Sequence, residues 1–93
     1  MASATPTQLI DNDRVRVTEW RFGPGESTGY HRHEFDYVVI PTITGDLLLK
    51  EADGDRTVRI ETGVPYFRNE GVEHDVINPS QENEIVFVEV EIK

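Results

Sequence analysis

The chain has 93 residues, 37% of them hydrophobic, and a formal charge of −9 from 18 acidic and 9 basic side chains. That length suits one domain with a modest core, and the negative field disfavours nucleic acid and anionic membrane surfaces as partners. With no cysteine in the chain, disulfides, thiolate nucleophiles and Cys-based zinc sites are excluded.

The opening stretch MASATPTQLI has neither a basic n-region nor an apolar h-region, so no secretion signal is expected and a cytoplasmic location is predicted. Residues 1–6 are predicted as a mobile N-terminus and residues 7–93 as a single domain. DND (11–13) reads as a turn. RVRVTEWRF (14–22) alternates as a strand, with Val15 and Val17 on one face and Thr18, Trp20 and Phe22 on the other. After the turn residues GPGES (23–27), the segment containing GYHRHEFDY (29–37) places His31, His33, Phe35 and Tyr37 on one strand face. Glu34 and Asp36 should then point to the opposite face. DLLLKEADGDRTVRIET (46–62) reads as two strands around DGD, and TGVP (62–65) and NEGVE (69–73) are turn chemistry. Neither DND nor DGD continues with the oxygen-ligand spacing of a calcium loop.

The last run, EIVFVEVEIK (84–93), puts Val86, Val88, Val90 and Ile92 on one face and Ile85, Phe87, Glu89 and Glu91 on the other. No window carries helical periodicity, so the alternating runs predict an all-β, single-domain antiparallel sandwich or barrel. So short a chain has strand faces, including Ile85 and Phe87, that one small barrel leaves uncovered; a symmetric homodimer is expected.

Only three histidines occur, His31, His33 and His74. On a strand, His31 and His33 project together with about 6–7 Å between their Cα atoms, which lets both imidazoles converge on one cation with bonds of about 2.0–2.2 Å. Such a pair is equally compatible with hydrogen-bonded structural histidines. A third ligand would have to come from elsewhere, and His74 follows a glycine turn able to fold back on the first pair.

The spacing of these residues resembles the cupin family. Its first motif, G-x5-H-x-H-x3,4-E-x6-G, is matched by Gly25, His31, His33 and Gly45; its second, G-x5-P-x-G-x2-H-x3-N, by Gly63, Gly71, His74 and Asn78. The match spans Gly25 to Asn78, and within the family the likeness is to small single-domain cupins such as those associated with β-alanine degradation. The resemblance implies a jelly-roll β-barrel in which His31, His33 and His74 hold one divalent metal ion. Two positions depart from the pattern. Asn69 stands in the proline slot, and the motif glutamate is replaced by Tyr37 or Val38, depending on the count; face parity favours Tyr37.

Three neutral imidazoles leave the ion its full charge and open positions, so a small anionic molecule is the expected partner. Three-histidine cupin sites resemble those of iron-dependent thiol and diketone dioxygenases. The resemblance therefore favours iron, with nickel, zinc, manganese or copper also compatible with imidazole ligands. It also implies that Tyr37 lines the site, either bonding to a bound species or only packing. Arg68 could pair with a substrate carboxylate or form a solvated ion pair. Trp20, Tyr30, Tyr66 and Phe67 read as core or interface residues. A metal-dependent oxygenase, or a related lyase or isomerase, is the first functional expectation. A non-catalytic metal- or ligand-binding cupin is the second, and a scaffold that has lost its metal the third.

Overall fold

The computed structural model describes residues 2–93. Among them are nine strands: β1 (Thr5–Asp11), β2 (Val15–Phe22), β3 (His31–Arg32), β4 (Asp36–Pro41), β5 (Gly45–Glu51), β6 (Gly54–Ile60), β7 (Tyr66–Arg68), β8 (Glu73–Ile77) and β9 (Ile85–Ile92). They form two antiparallel sheets, ordered β1-β2-β9-β4-β7 and β3-β8-β5-β6. From β2 onward most connections cross from one sheet to the other, which wraps the chain into the all-β jelly roll expected from the alternation. No helix is long and apolar enough to cross a membrane.

The alternation read in β2, β5 and β9 is the alternation that packs. Phe22, Leu47, Leu49, Ile60, Val76, Ile85 and Phe87 fill the space between the sheets, while the intervening residues face outward. The inward side of β9 thus includes Ile85 and Phe87. Both are buried, so these two side chains are not the uncovered surface they were expected to form. The outward face holds that surface instead. There, cross-strand pairing lines up Ile10, Val17, Val90, Val38 and Phe67 in one row over all five strands of the larger sheet.

Two segments differ from the sequence reading. The first strand was not anticipated, because TPTQLID has no apolar alternation and every residue in it is exposed; it is held as an edge strand by its ladder with β2. The domain also begins before residue 7. Ser3 bridges to Ser27, and Ala4 is buried with its N–H donating to the Ser27 carbonyl at 2.8 Å. The second difference is a break in the segment read as one strand from His31 to Tyr37. Residues 33–35 leave the ladder, so β3 belongs to the smaller sheet and β4 to the larger. This crossing places the histidines opposite the tyrosine strand while preserving the inward parity of His31, His33 and Tyr37.

The motif residues that bind nothing have structural work. Gly25, Gly63 and Gly71 take positive φ of 73°, 76° and 90° in the turns before β3, β7 and β8. A Cβ on Gly45 would stand 2.1 Å from Cδ1 of the buried Ile85. Asn78 is wholly buried; its Nδ2 donates to the carbonyls of Phe22, Gly23 and Asn83, and its Oδ1 accepts from the Ser80 N–H. Asn78→Ala should therefore lower unfolding stability by about 3 kcal/mol, since several groups lose their partners at once. Urea denaturation measures this, and a loss below about 1 kcal/mol would contradict the role assigned to the amide.

Candidate metal centre

β3 and β8 are neighbours, and their register sets His31 directly across from His74. His33 is pinned just beyond β3 by two backbone hydrogen bonds: its N–H donates to the Val72 carbonyl, and its carbonyl accepts from the Gly71 N–H, each at 2.8 Å. The left-handed Gly71 turn thus folds the second motif against the first. Nε2 of His33 lies 3.0 Å from Nε2 of His31 and 3.1 Å from Nε2 of His74. All three ligand atoms fall within 4.8 Å of one another.

That spacing fits a metal ion. Bonds of about 2.1 Å meeting at right angles separate donor atoms by about 3.0 Å. Three imidazole nitrogens gathered in this way would hold an ion and leave it further positions for other ligands. The protonation of the rings agrees. His31 Nδ1 lies 2.8 Å from the Gly29 carbonyl, which can only accept, so Nδ1 carries the proton and the neutral ring turns its Nε2 lone pair inward. Burial holds the pKa of His33 down to about 4 and that of His74 to about 3, assisted by the neighbouring imidazoles. Both rings are therefore neutral and ligand-competent at pH 7. His74 Nδ1 is buried without a hydrogen-bond partner, so packing rather than an acceptor fixes that ring.

The cluster opens into a cavity of about 310 Å³ between the sheets. The opposite wall, built by the larger sheet, is ordered in rows by strand register. Arg16, Glu91, Tyr37 and Arg68 form one row across β2, β9, β4 and β7. Thr18, Glu89, Val39 and Tyr66 form the next. Trp20, Phe87 and Pro41 continue the wall beyond them. The cavity therefore grades from charged to apolar.

Tyr37 occupies the slot where the motif has glutamate, as face parity required, and Val38 points outward. Its ring stacks on His33 with centroids 3.9 Å apart and planes inclined by 15°. The hydroxyl is buried without a partner, and burial raises its pKa above the ordinary phenol value. Arg68 lines the cavity with Nη2 3.7 Å from Glu51 Oε2, while Glu51 makes its closer contact to Arg56 at 2.7 Å. Arg68 is thus loosely paired and keeps N–H groups for another acceptor. Glu34 is exposed and lines the cavity although the opposite face was expected for it; the break after β3 frees it from strand parity. Asp36 caps the second-motif turn, accepting from the Glu70 N–H at 2.8 Å. Phe35 lies under the Arg16 guanidinium, 6.0 Å away.

Sequence reasoning missed the wall contributed by β9. Arg16 makes a two-point ion pair with Glu91 at 2.9 and 2.8 Å. Glu89 is buried, and desolvation followed by repulsion from Glu91 raises its pKa to about 7. The available signal was parity: Glu89 and Glu91 continue the face of Ile85 and Phe87, an acidic pair on the side of a strand that points into the core.

The geometry defines a jelly roll with a three-histidine cluster able to hold a metal ion, and similarity to known proteins places it. Residues 18–91 match the cupin domain family, and the chain belongs to that family. It is 57% identical over 90 residues to the beta-alanine degradation protein BauB of Pseudomonas aeruginosa, covering 97% of this chain and 94% of that one. A cupin domain from Bordetella pertussis Tohama I, solved at 1.80 Å, is 60% identical with a TM-score of 0.96, covering 99% and 95% of the two chains. The polyketide cyclase RemF of Streptomyces resistomycificus shares 26% identity and a TM-score of 0.77, covering 97% of this chain and 65% of that one.

Proposed function

We propose that this cupin binds one divalent metal ion, iron by preference, through His31, His33 and His74 and acts as a metal-dependent dioxygenase or related enzyme on a small anionic metabolite in the cytoplasm. The observation that carries this reading is the three Nε2 atoms gathered on one side of a partly apolar cavity between the sheets. When bound, the metal would supply a Lewis-acidic centre able to coordinate an anionic group and a second small ligand at its free positions.

The protein's own residues supply the rest. The loosely paired Arg68 offers a two-point hydrogen-bonding fork to a carboxylate. Tyr37 holds His33 in place by stacking and keeps a hydroxyl proton for lack of any acceptor to take it. The apolar end of the cavity, with Trp20 and Phe87, offers a surface for the hydrocarbon part of a ligand. The name of the Pseudomonas relative, a protein of β-alanine degradation, agrees with a small carboxylic acid as ligand.

A second reading, a non-catalytic metal- or ligand-binding cupin, has one observation in its favour: Tyr37 lies flat against His33, as a packing residue would. Anaerobic reconstitution with ferrous iron, followed by oxygen-uptake measurements over small thiols, diketones and amino acids, separates the two. Uptake with at least one class supports the enzyme; stoichiometric iron without uptake over the whole panel supports the binding protein.

We further propose that the chain forms a homodimer through the outer face of the larger sheet. A second copy is the occupant the surface fits, because the row from Ile10 to Phe67 is apolar on every strand and continues into Val15, Val88, Ile40 and Ile92. Phe67 at its end is 53% exposed. Sedimentation at micromolar concentration should give a dimer, and Val90→Arg should give a folded monomer; a monomeric wild type rejects the proposal.

A further inference from the structure

Among the described residues, Glu89 is the one buried acidic side chain of the cavity without an ion pair. It is 9% exposed and lines the cavity. Its cross-strand neighbours are Thr18 on β2 and Val39 on β4, neither of them charged. Glu91, two residues on, is neutralised by the two-point contact from Arg16. Among the described residues no ion pair reaches Glu89; the indole of Trp20 eases its ionisation, and Arg16 acts on it only from a distance. From β4 and β7, Tyr37 and Tyr66 line the same wall of the cavity and bring no cation to it. A carboxyl in such a place destabilises the empty protein unless something entering the cavity uses it.

Arg68 stands across the same wall. It is two strands from Glu89, a lateral separation of about 10 Å, and one inward position removed along the sheet. Both side chains line the cavity, and Tyr37, Val39 and Tyr66 build the wall between them, so a ligand of a few carbons lying along that wall can meet both. The wall thus offers a cationic fork at one end and an acid at the other.

We infer that Glu89 is a ligand-binding residue and that the cavity is built for a small zwitterion, its carboxylate held toward Arg68 and the histidines and its amino group held by Glu89. This rests on the reading above that the occupant is anionic at the metal end, and it narrows that reading. Glu89 ionises near neutral pH, so an entering ammonium group meets a carboxylate that is readily charged, and the pair forms away from water.

The test compares linear ω-amino acids of three to five carbons with unsubstituted monocarboxylates of the same length, by calorimetry on protein loaded with redox-inert zinc. In the wild type each amino acid should bind at least tenfold more tightly than its matched acid. In Glu89→Gln, shown to be folded by circular dichroism, that advantage should fall to within twofold, with the matched acids unaffected. A measurement on the wild type alone adds to this: the advantage should grow from pH 5.5 to pH 8 as Glu89 ionises. The inference is overturned if the advantage is absent, if it survives in Glu89→Gln, or if it does not change with pH. Loss of zinc from Glu89→Gln would assign the carboxyl to charge compensation at the metal and overturn it likewise. Should zinc bind to the wild type while neither ligand series does, the anionic-ligand reading itself fails and this inference falls with it.

Discussion

Metal content should collapse when either buried histidine is removed. His33→Ala and His74→Ala are each expected to lower divalent-metal affinity by more than about 100-fold, because even the outer partners of ligating histidines are worth about 10–100-fold. The direct contribution is larger for a simple reason: each ring supplies one of only three imidazole donors, and losing any one leaves two. His33 carries an added burden as the central member, adjacent to both other Nε2 atoms and stacked on Tyr37. Elemental analysis of tag-free protein, with competition against a chromophoric chelator, measures the effect. Stoichiometric metal retained in both variants would reject the site outright.

The second large effect concerns Glu89 in the metal-free protein. Its pKa is raised from 4.5 to about 7 by burial and by Glu91. A group whose folded-state pKa is raised contributes stability that is fully present below the unfolded value and lost as pH rises through the folded one. The carboxyl therefore weakens the fold progressively between about pH 4.5 and pH 7, by roughly 3 kcal/mol once fully ionised. Glu89→Gln keeps the size and removes the ionisation, so it should be more stable than the wild type by about 3 kcal/mol at pH 8 and nearly equal to it at pH 4.5. Denaturant unfolding in the presence of a chelator reads this difference directly. A stability gap that stays constant over that range would show that Glu89 is not desolvated.

His33 and His74 act in the opposite direction. Their pKa values are lowered from 6.5 to about 4 and about 3. Below pH 6.5 the unfolded chain takes up protons that the folded rings refuse, and stability falls with pH. In the metal-free wild type the two histidines outweigh Glu89 over the acid range, so stability rises with pH toward neutrality. In Glu89→Gln, where nothing opposes the histidines, that rise should be steeper.

The reading of the sequence reached the architecture through β2, β5, β6 and β9; in β5 and most of β9 the period-two pattern is also the burial pattern. It did not reach β1, where a strand exists only because β2 offers a free edge. It could not see the break between His33 and Asp36 either. The crossing keeps His31, His33 and Tyr37 facing the cavity, so these three were placed together correctly, while Glu34, which the crossing also turns to the cavity, was not.

The site divides in the same way. The residues that could hold a metal were determined by the sequence: three histidines at motif spacing, a glutamate slot filled by tyrosine, and glycines where turns demand positive φ. Local spacing dictates such features, because one turn or one strand fixes where its own side chains point. Which residues face those histidines was decided by tertiary structure alone. Arg16, Glu91, Tyr37 and Arg68 come from four separate strands and meet only through register. Registers depend on how the whole sheet closes, so the charge pattern across the cavity, with Arg68 loosely held and Glu89 buried without a cation, exists only in the folded barrel.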